Sequence, residues 1–120
     1  MWYKLSTDIF AFLDRLVPGT GLTAARDLDL LSQKDSEVLL FTLIRKRFKD
    51  LYLLSIGEKP SGRLQEWQLG RLTSQARRWQ PTKLEQMYRQ CYRIDRAIKT
   101  GETPYGYKES LQLLLIAGLG

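Results

Sequence analysis

Pro81-Thr-Lys-Leu-Glu-Gln-Met-Tyr-Arg-Gln-Cys-Tyr-Arg-Ile-Asp-Arg-Ala-Ile-Lys-Thr-Gly101 is the stretch that decides the fold. Within it Leu84, Met87, Tyr88, Cys91, Ile94 and Ile98 recur at intervals of three and four, the spacing that lines one face of an α-helix, over about four turns. Gln80-Pro81-Thr82 breaks whatever precedes, and Gly101 is placed as a left-handed C-cap. Asp95 falls four residues after Cys91 and three before Ile98, so a carboxylate stands on or beside the apolar stripe. A buried carboxylate must be paired or hydrogen-bonded. Asp95 therefore either organises the Lys99-Thr100-Gly101 exit or a neighbouring helix start, or forms a half-exposed pair with Lys99 worth a few tenths of a kcal/mol. The first reading is preferred, and it is structural rather than catalytic.

The same periodicity extends upstream. Ile9, Phe12, Leu13 and Leu16 form a short helical stripe, with Ser6 or Thr7 placed to cap it and Pro18-Gly19 to end it. Thr23 is read as the cap of a second helix carrying Leu28, Leu30 and Leu31 and closing near Gln33 and Lys34. Ser36 caps a longer third, with Phe41, Ile44, Phe48, Leu51 and Tyr52 on one face as far as Gly57, and Arg45, Lys46 and Lys49 opposite. Glu58 to Gly62 has the composition of an exposed turn. Helix resumes through Leu64, Trp67, Leu72, Ala76 and Trp79, with Gly70 weakening its middle.

Downstream, Thr103-Pro104 suits a helix start by the cap-then-proline rule, leading into Ser110-Leu-Gln-Leu-Leu-Leu-Ile-Ala-Gly-Leu-Gly120. That last segment is apolar on nearly every side, so it is either central to the fold or covered by a neighbouring subunit. The strand signature is weak, and the reading is all-α: one helical domain over residues 1–120, an irregular bundle of six or seven helices.

Composition narrows the function classes. Histidine is absent, which removes the commonest general base and metal ligand, and with Cys91 as the one cysteine zinc is nearly excluded. No cofactor is expected. Cys91 sits among helix-forming residues as a small core side chain, in keeping with a reducing compartment. No run of eighteen apolar residues occurs, and Lys4, Asp8, Asp14 and Arg15 interrupt the amino-terminal stretch, so neither a membrane span nor a signal peptide fits and a cytoplasmic location is expected. Pro18-Gly-Thr-Gly21 lacks the Gly-Lys-Ser/Thr ending of a phosphate loop and is a turn.

The net charge of +6 is uneven: residues 45–99 carry fourteen basic and five acidic side chains, whereas residues 1–44 carry four and six. Arg71, Arg77, Arg78, Lys83, Arg89, Arg93, Arg96 and Lys99 fall on two consecutive helices, and Arg89, Arg93 and Arg96 recur on one face. Such a stripe can meet phosphates, meet acidic surfaces of neighbouring subunits, or stand in solvent opposite the core. Subunit contact and plain solvation rank above direct DNA binding. Tyr105 and Tyr107 lie in a loop-like Pro-Tyr-Gly-Tyr stretch where an exposed ring could pack on a partner or a nucleotide.

Three stretches carry a family likeness: Leu72-Thr-Ser-Gln-Ala-Arg-Arg-Trp79, Tyr92-Arg-Ile-Asp-Arg-Ala-Ile-Lys-Thr-Gly101 and Glu109-Ser-Leu-Gln-Leu-Leu-Leu-Ile116. In order and spacing they resemble the carboxyl-terminal region of the delta-subunit family of the bacterial DNA polymerase III clamp loader. There a helix ends in Gln-Ala-Arg-Arg and an aromatic, a second carries an Asp before an aliphatic-Lys-Thr-Gly exit, and a leucine-rich helix closes. Leu39-Leu40-Phe41 leading to Arg47-Phe48 also looks like its counterpart, and before about residue 38 the likeness is weak. Family members often have a His-Pro pair where this chain has Gln65-Glu66-Trp67.

The resemblance implies a collar domain, one of five related helical domains in a ring that assembles the loader placing the sliding clamp on primed DNA. Delta-prime and gamma/tau subunits would be its neighbours, with DNA within reach of the assembly. The family's clamp-binding and ATPase-like domains lie upstream of this region, so the sliding clamp would be met through them and the chain looks like a carboxyl-terminal piece of a longer subunit. The implied interface residues are Leu111, Leu114, Leu115, Tyr105 and Tyr107; Asp95, Lys99 and Gly101 are structural; Arg77, Arg78, Arg89, Arg93 and Arg96 are candidates for nucleic acid or an acidic partner. No catalytic activity is expected of this domain itself, although the parent would belong to the DNA polymerase III holoenzyme. The competing function, from the charge of the middle segment, is an independent helical nucleic-acid-binding protein. An enzyme is the least favoured class, because no nucleophile, base and orienting group can be assembled.

Overall fold

The computed structural model describes residues 7–60 and 62–120. Among them the chain is all-helical, with six helices and no strand: α1 (Thr7–Asp14), α2 (Gly21–Leu31), α3 (Glu37–Ser55), α4 (Glu66–Ala76), α5 (Pro81–Lys99) and α6 (Tyr107–Leu119). Ser6, one of the two residues read as capping α1, lies outside the described residues.

The core forms where the apolar stripes meet. α5 buries Leu84, Met87 and Cys91 against the Leu40, Phe41, Ile44, Phe48 and Leu51 face of α3. α6 packs on α2, α3 and α5 and contributes Leu111, Leu115 and Leu119, a line of residues four apart on one side of the helix. Burying each such leucine stabilises by about 1.5–3 kcal/mol. Trp79 closes one end of the core, its ring edge-on to Phe48 at 5.8 Å.

Several helix ends follow local chemistry. Ser36 Oγ accepts from the Leu39 N–H at 3.0 Å, which starts α3. Pro81 is the first residue of α5, where its missing N–H costs nothing. Beyond α5, Gly101 takes φ +71° and the Glu102 N–H returns to the Ala97 carbonyl at 2.9 Å, closing the helix as its sequence predicts.

Others depart from the sequence reading. Thr23 does not cap α2: the helix begins two residues earlier, at Gly21, and the Thr20 hydroxyl before it donates to the Val17 carbonyl at 2.8 Å instead of accepting from the helix. α2 ends at Leu31 rather than near Gln33 and Lys34. α4 is shorter than its apolar pattern, leaving Leu64 and Trp79 outside it, and Trp67 is 58% exposed rather than in the core. Thr103-Pro104 does not start a helix; Thr103 Oγ1 accepts from the Tyr105 N–H at 3.2 Å in a turn, and α6 begins at Tyr107.

The start of α6 has no cap from its own preceding residue. Glu37, in the first turn of α3, supplies one across 71 positions of sequence: its Oε1 accepts from the Lys108 N–H at 3.1 Å. The other end of α6 is held by the turn between α1 and α2. The Gly19 N–H donates to the Leu119 carbonyl at 2.6 Å, and the Gly21 N–H to a Gly120 oxygen at 3.2 Å. Two otherwise unpaired sets of backbone groups are thereby satisfied by distant residues.

Candidate interaction surface

Residues of two of the quoted stretches, 72–79 and 92–101, stand at helix joints. Gln75, buried near the end of α4, donates from Nε2 to the Leu13 and Leu16 carbonyls at 2.8 and 3.1 Å, and the Trp79 indole N–H donates to Leu16 at 3.1 Å. These donors take up the Leu16 carbonyl after α1 and add a second bond to the Leu13 carbonyl, which also accepts from the Leu16 N–H at 3.3 Å. Gln75 Oε1 in turn accepts from Arg47 of α3 at 3.0 Å; the same guanidinium reaches Asp14 at 2.8 Å, and Arg71 also pairs with Asp14. One amide and one carboxylate thus join α1, α3 and α4.

Asp95 does the same between α5 and α6. Its Oδ1 accepts from the Tyr107 hydroxyl at 2.7 Å and its Oδ2 from Lys99 at 2.9 Å. The hydrogen bonds from Lys99 and then Tyr107 hold its carboxyl below the usual carboxylate range, and the Asp95 carboxylate in return raises Lys99 and Tyr107. Tyr107 is therefore not a loop ring awaiting a partner: it opens α6, is half-buried, and lies 4.7 Å from Phe41 between ring centres. Tyr105 is exposed, as read.

Leu111 and Leu115 require a second correction. Both are fully buried inside the chain's own core and so offer no surface to another subunit, and Leu114 is half-buried. The apolar groups that α6 presents outward are Leu113 and Ile116, at 56% and 41% exposure. The all-round apolar composition hid this division, although the four-residue spacing of Leu111, Leu115 and Leu119 was the signal that could have found it.

Arg77, Arg78, Arg89, Arg93 and Arg96 are all exposed. The last three stand on α5 opposite Leu84, Met87 and Cys91, and Arg89 is paired with Glu85 at 2.6 Å. Arg77 and Arg78 follow α4 in the turn before Trp79. The cationic side of α5 meets the outward side of α6 along an open groove of about 690 Å³ lined by Lys83, Arg93, Ile94, Leu113, Leu114 and Ala117 among others. Elsewhere, Arg45 lies 5.6 Å over Phe41 and 5.8 Å over Tyr92, close enough for cation–π attraction to both rings. The Tyr88 hydroxyl donates to Tyr92 at 3.0 Å; burial, and then that bond, raise Tyr88 to about 12. Arg45, placed by the sequence on the face of α3 opposite its apolar stripe, is half-buried and bridges to α5.

These features suit binding through a surface: paired charges, helix joints and a shallow groove. No helix of the described residues is long and apolar enough to cross a membrane. Comparison of the chain with protein-family models, curated proteins and solved structures gives no match.

Proposed function

We propose that this chain is an oligomerisation module of the collar type, from a delta subunit of the DNA polymerase III clamp loader. The observation that carries this reading is the role of the residues behind the resemblance. Gln75 and Trp79 of the Gln-Ala-Arg-Arg-aromatic element tie α4 to α1, and Asp95 of the Asp-to-Lys-Thr-Gly element ties α5 to α6. Residues whose work is to set angles between helices suit a domain that presents a defined outer shape to its neighbours. In this reading the exposed surfaces of α5 and α6 face delta-prime and gamma/tau, and the upstream domains engage the sliding clamp.

The test is co-purification of the full-length parent subunit with delta-prime and gamma/tau, with and without residues 1–120. Ring assembly that depends on this region is the expected result. A parent that joins the ring equally well without it, or never joins it, would overturn the reading. The exposed arginines Arg77, Arg78, Arg93 and Arg96 favour the second reading, a helical nucleic-acid-binding protein. That reading requires the isolated chain to bind DNA or RNA with a steep salt dependence; a flat titration at low salt would remove it.

A further inference from the structure

We propose that the groove between α5 and α6 docks an acidic amphipathic helix of a partner protein. One wall of the groove is cationic, from Lys83, Arg89 and Arg93, and the rest is largely apolar, from Ile94, Leu113 and Ala117. No carboxylate lines it. Arg89 is already paired with Glu85, whereas Lys83 and Arg93 pair with no carboxylate among the described residues. Two unspent cations therefore border a strip of exposed hydrocarbon.

That combination selects the occupant. Nucleic acid would satisfy Lys83 and Arg93 with phosphates but would leave Leu113 and Ala117 facing a charged backbone. A purely apolar helix would cover the leucine and leave the cations beside it without counter-charge. A helix with a leucine face and glutamates along one edge satisfies both walls, in the helix-in-groove manner. Lys83 and Arg93 stand ten residues apart on α5, which at 1.5 Å per residue is about 15 Å. Carboxylates about eleven residues apart on a partner helix lie on one face at nearly that separation. The inference stands on the groove alone and does not depend on the collar assignment.

The experiment titrates the whole chain against fluorescein-labelled peptides of roughly 18 residues, about five turns. Each carries a leucine face and two glutamates at varied spacing, and each has a counterpart with glutamine in place of glutamate. Saturable binding is expected, strongest for a spacing of about eleven residues, and weakened about tenfold or more by the glutamine counterpart, by Arg93→Glu and by Leu113→Asp. Both variants alter exposed side chains, so unchanged thermal melting would show that the fold is intact. The proposal is overturned by absence of saturable binding at every spacing, or by equal binding of the glutamine peptides. It is also overturned if a single-stranded oligonucleotide competes fully while Leu113→Asp has no effect, or if sedimentation reveals a dimer that Leu113→Asp dissolves.

Discussion

The Tyr107 hydroxyl donates to the Asp95 carboxylate across 2.7 Å, so the first residue of α6 is fastened to the C-terminal half of α5. Hydrogen bonds to charged groups contribute about 1.5–3 kcal/mol. Tyr107→Phe keeps the ring on Phe41 and removes only this bond. It is expected to lower stability by about 1–2 kcal/mol in urea unfolding with an unchanged m-value. Full retention of stability would show that the carboxylate is satisfied by Lys99 alone.

The same pair predicts an acid dependence. Asp95 is held below the usual carboxylate range by Lys99 first and Tyr107 second. A depressed folded-state pKa contributes stability that is present above the unfolded value of about 3.9 and is lost as pH falls through the folded value. Asp95→Asn should therefore be less stable than the parent chain near neutrality, with the difference shrinking as pH is lowered below about 4. Melting temperatures from neutral to strongly acidic pH measure it; a constant difference throughout would remove Asp95 as the titrating group.

Gln75 is the joint between α1 and α4. Replacing it with leucine keeps most of the volume but leaves the Leu13 carbonyl without its side-chain donor and removes the amide acceptor of Arg47; the Leu16 carbonyl keeps Trp79. The expected loss is about 2–3 kcal/mol. Hydrogen exchange should locate the added opening in α1, ahead of α5. Equal destabilisation of both helices would mean that the residue supports the whole core rather than this joint.

What could be read from residues alone was the local part. The α5 stripe, the Ser36 cap and the Gly101 exit depend on neighbours within one helix turn, and each appears where the pattern puts it. The misreading at α2 is local, since the Thr20 hydroxyl turns back to the Val17 carbonyl and Thr23 lies inside the helix, whereas those at α6 involve distant partners. Thr103-Pro104 looks like a helix start, but α6 takes its cap from Glu37; Tyr107 looks like a loop ring, but Asp95 and Phe41 hold it. In α6 leucine occurs on both sides of the helix, which hides the i, i+4 line of Leu111, Leu115 and Leu119 in the composition, and packing against α2, α3 and α5 sends Leu111 and Leu115 inward and Leu113 outward. That choice moves the candidate surface away from Leu111 and Leu115, while Leu114, Arg89 and Arg93 still line the groove.

Cys91 is fully buried, and burial raises its thiol to about 12. The thiolate is the reactive form, so the native protein should resist thiol reagents at mildly alkaline pH and react only through unfolding. The sign follows from linkage: a raised folded pKa gives stability that is present below the unfolded value of about 8.5 and lost as pH rises toward the folded one. Labelling rates in rising urea should track the unfolded fraction. Rapid labelling without denaturant would contradict the burial of α5 against α3.

Glycine substitutions separate close packing from simple helix propensity. A Cβ on Gly21 would stand 2.9 Å from the Leu115 carbonyl oxygen and 3.1 Å from Ile116 Cα, all backbone of α6. Backbone cannot swing aside as a side chain does, so Gly21→Ala must push α2 away from α6 and strain the Gly21 N–H bond to Gly120. Overpacking of this kind costs about 1–3 kcal/mol. Gly70 is the contrasting case: it lies inside α4, exposed, with nothing within 4 Å of an added Cβ and with ordinary negative φ. Gly70→Ala should stabilise by about 0.5–1 kcal/mol, because alanine loses less backbone freedom on entering a helix. Thermal melting of the two variants side by side is expected to move in opposite directions, Gly21→Ala downward and Gly70→Ala upward. A Gly21→Ala protein as stable as the parent would mean that α2 and α6 approach less closely than this packing requires.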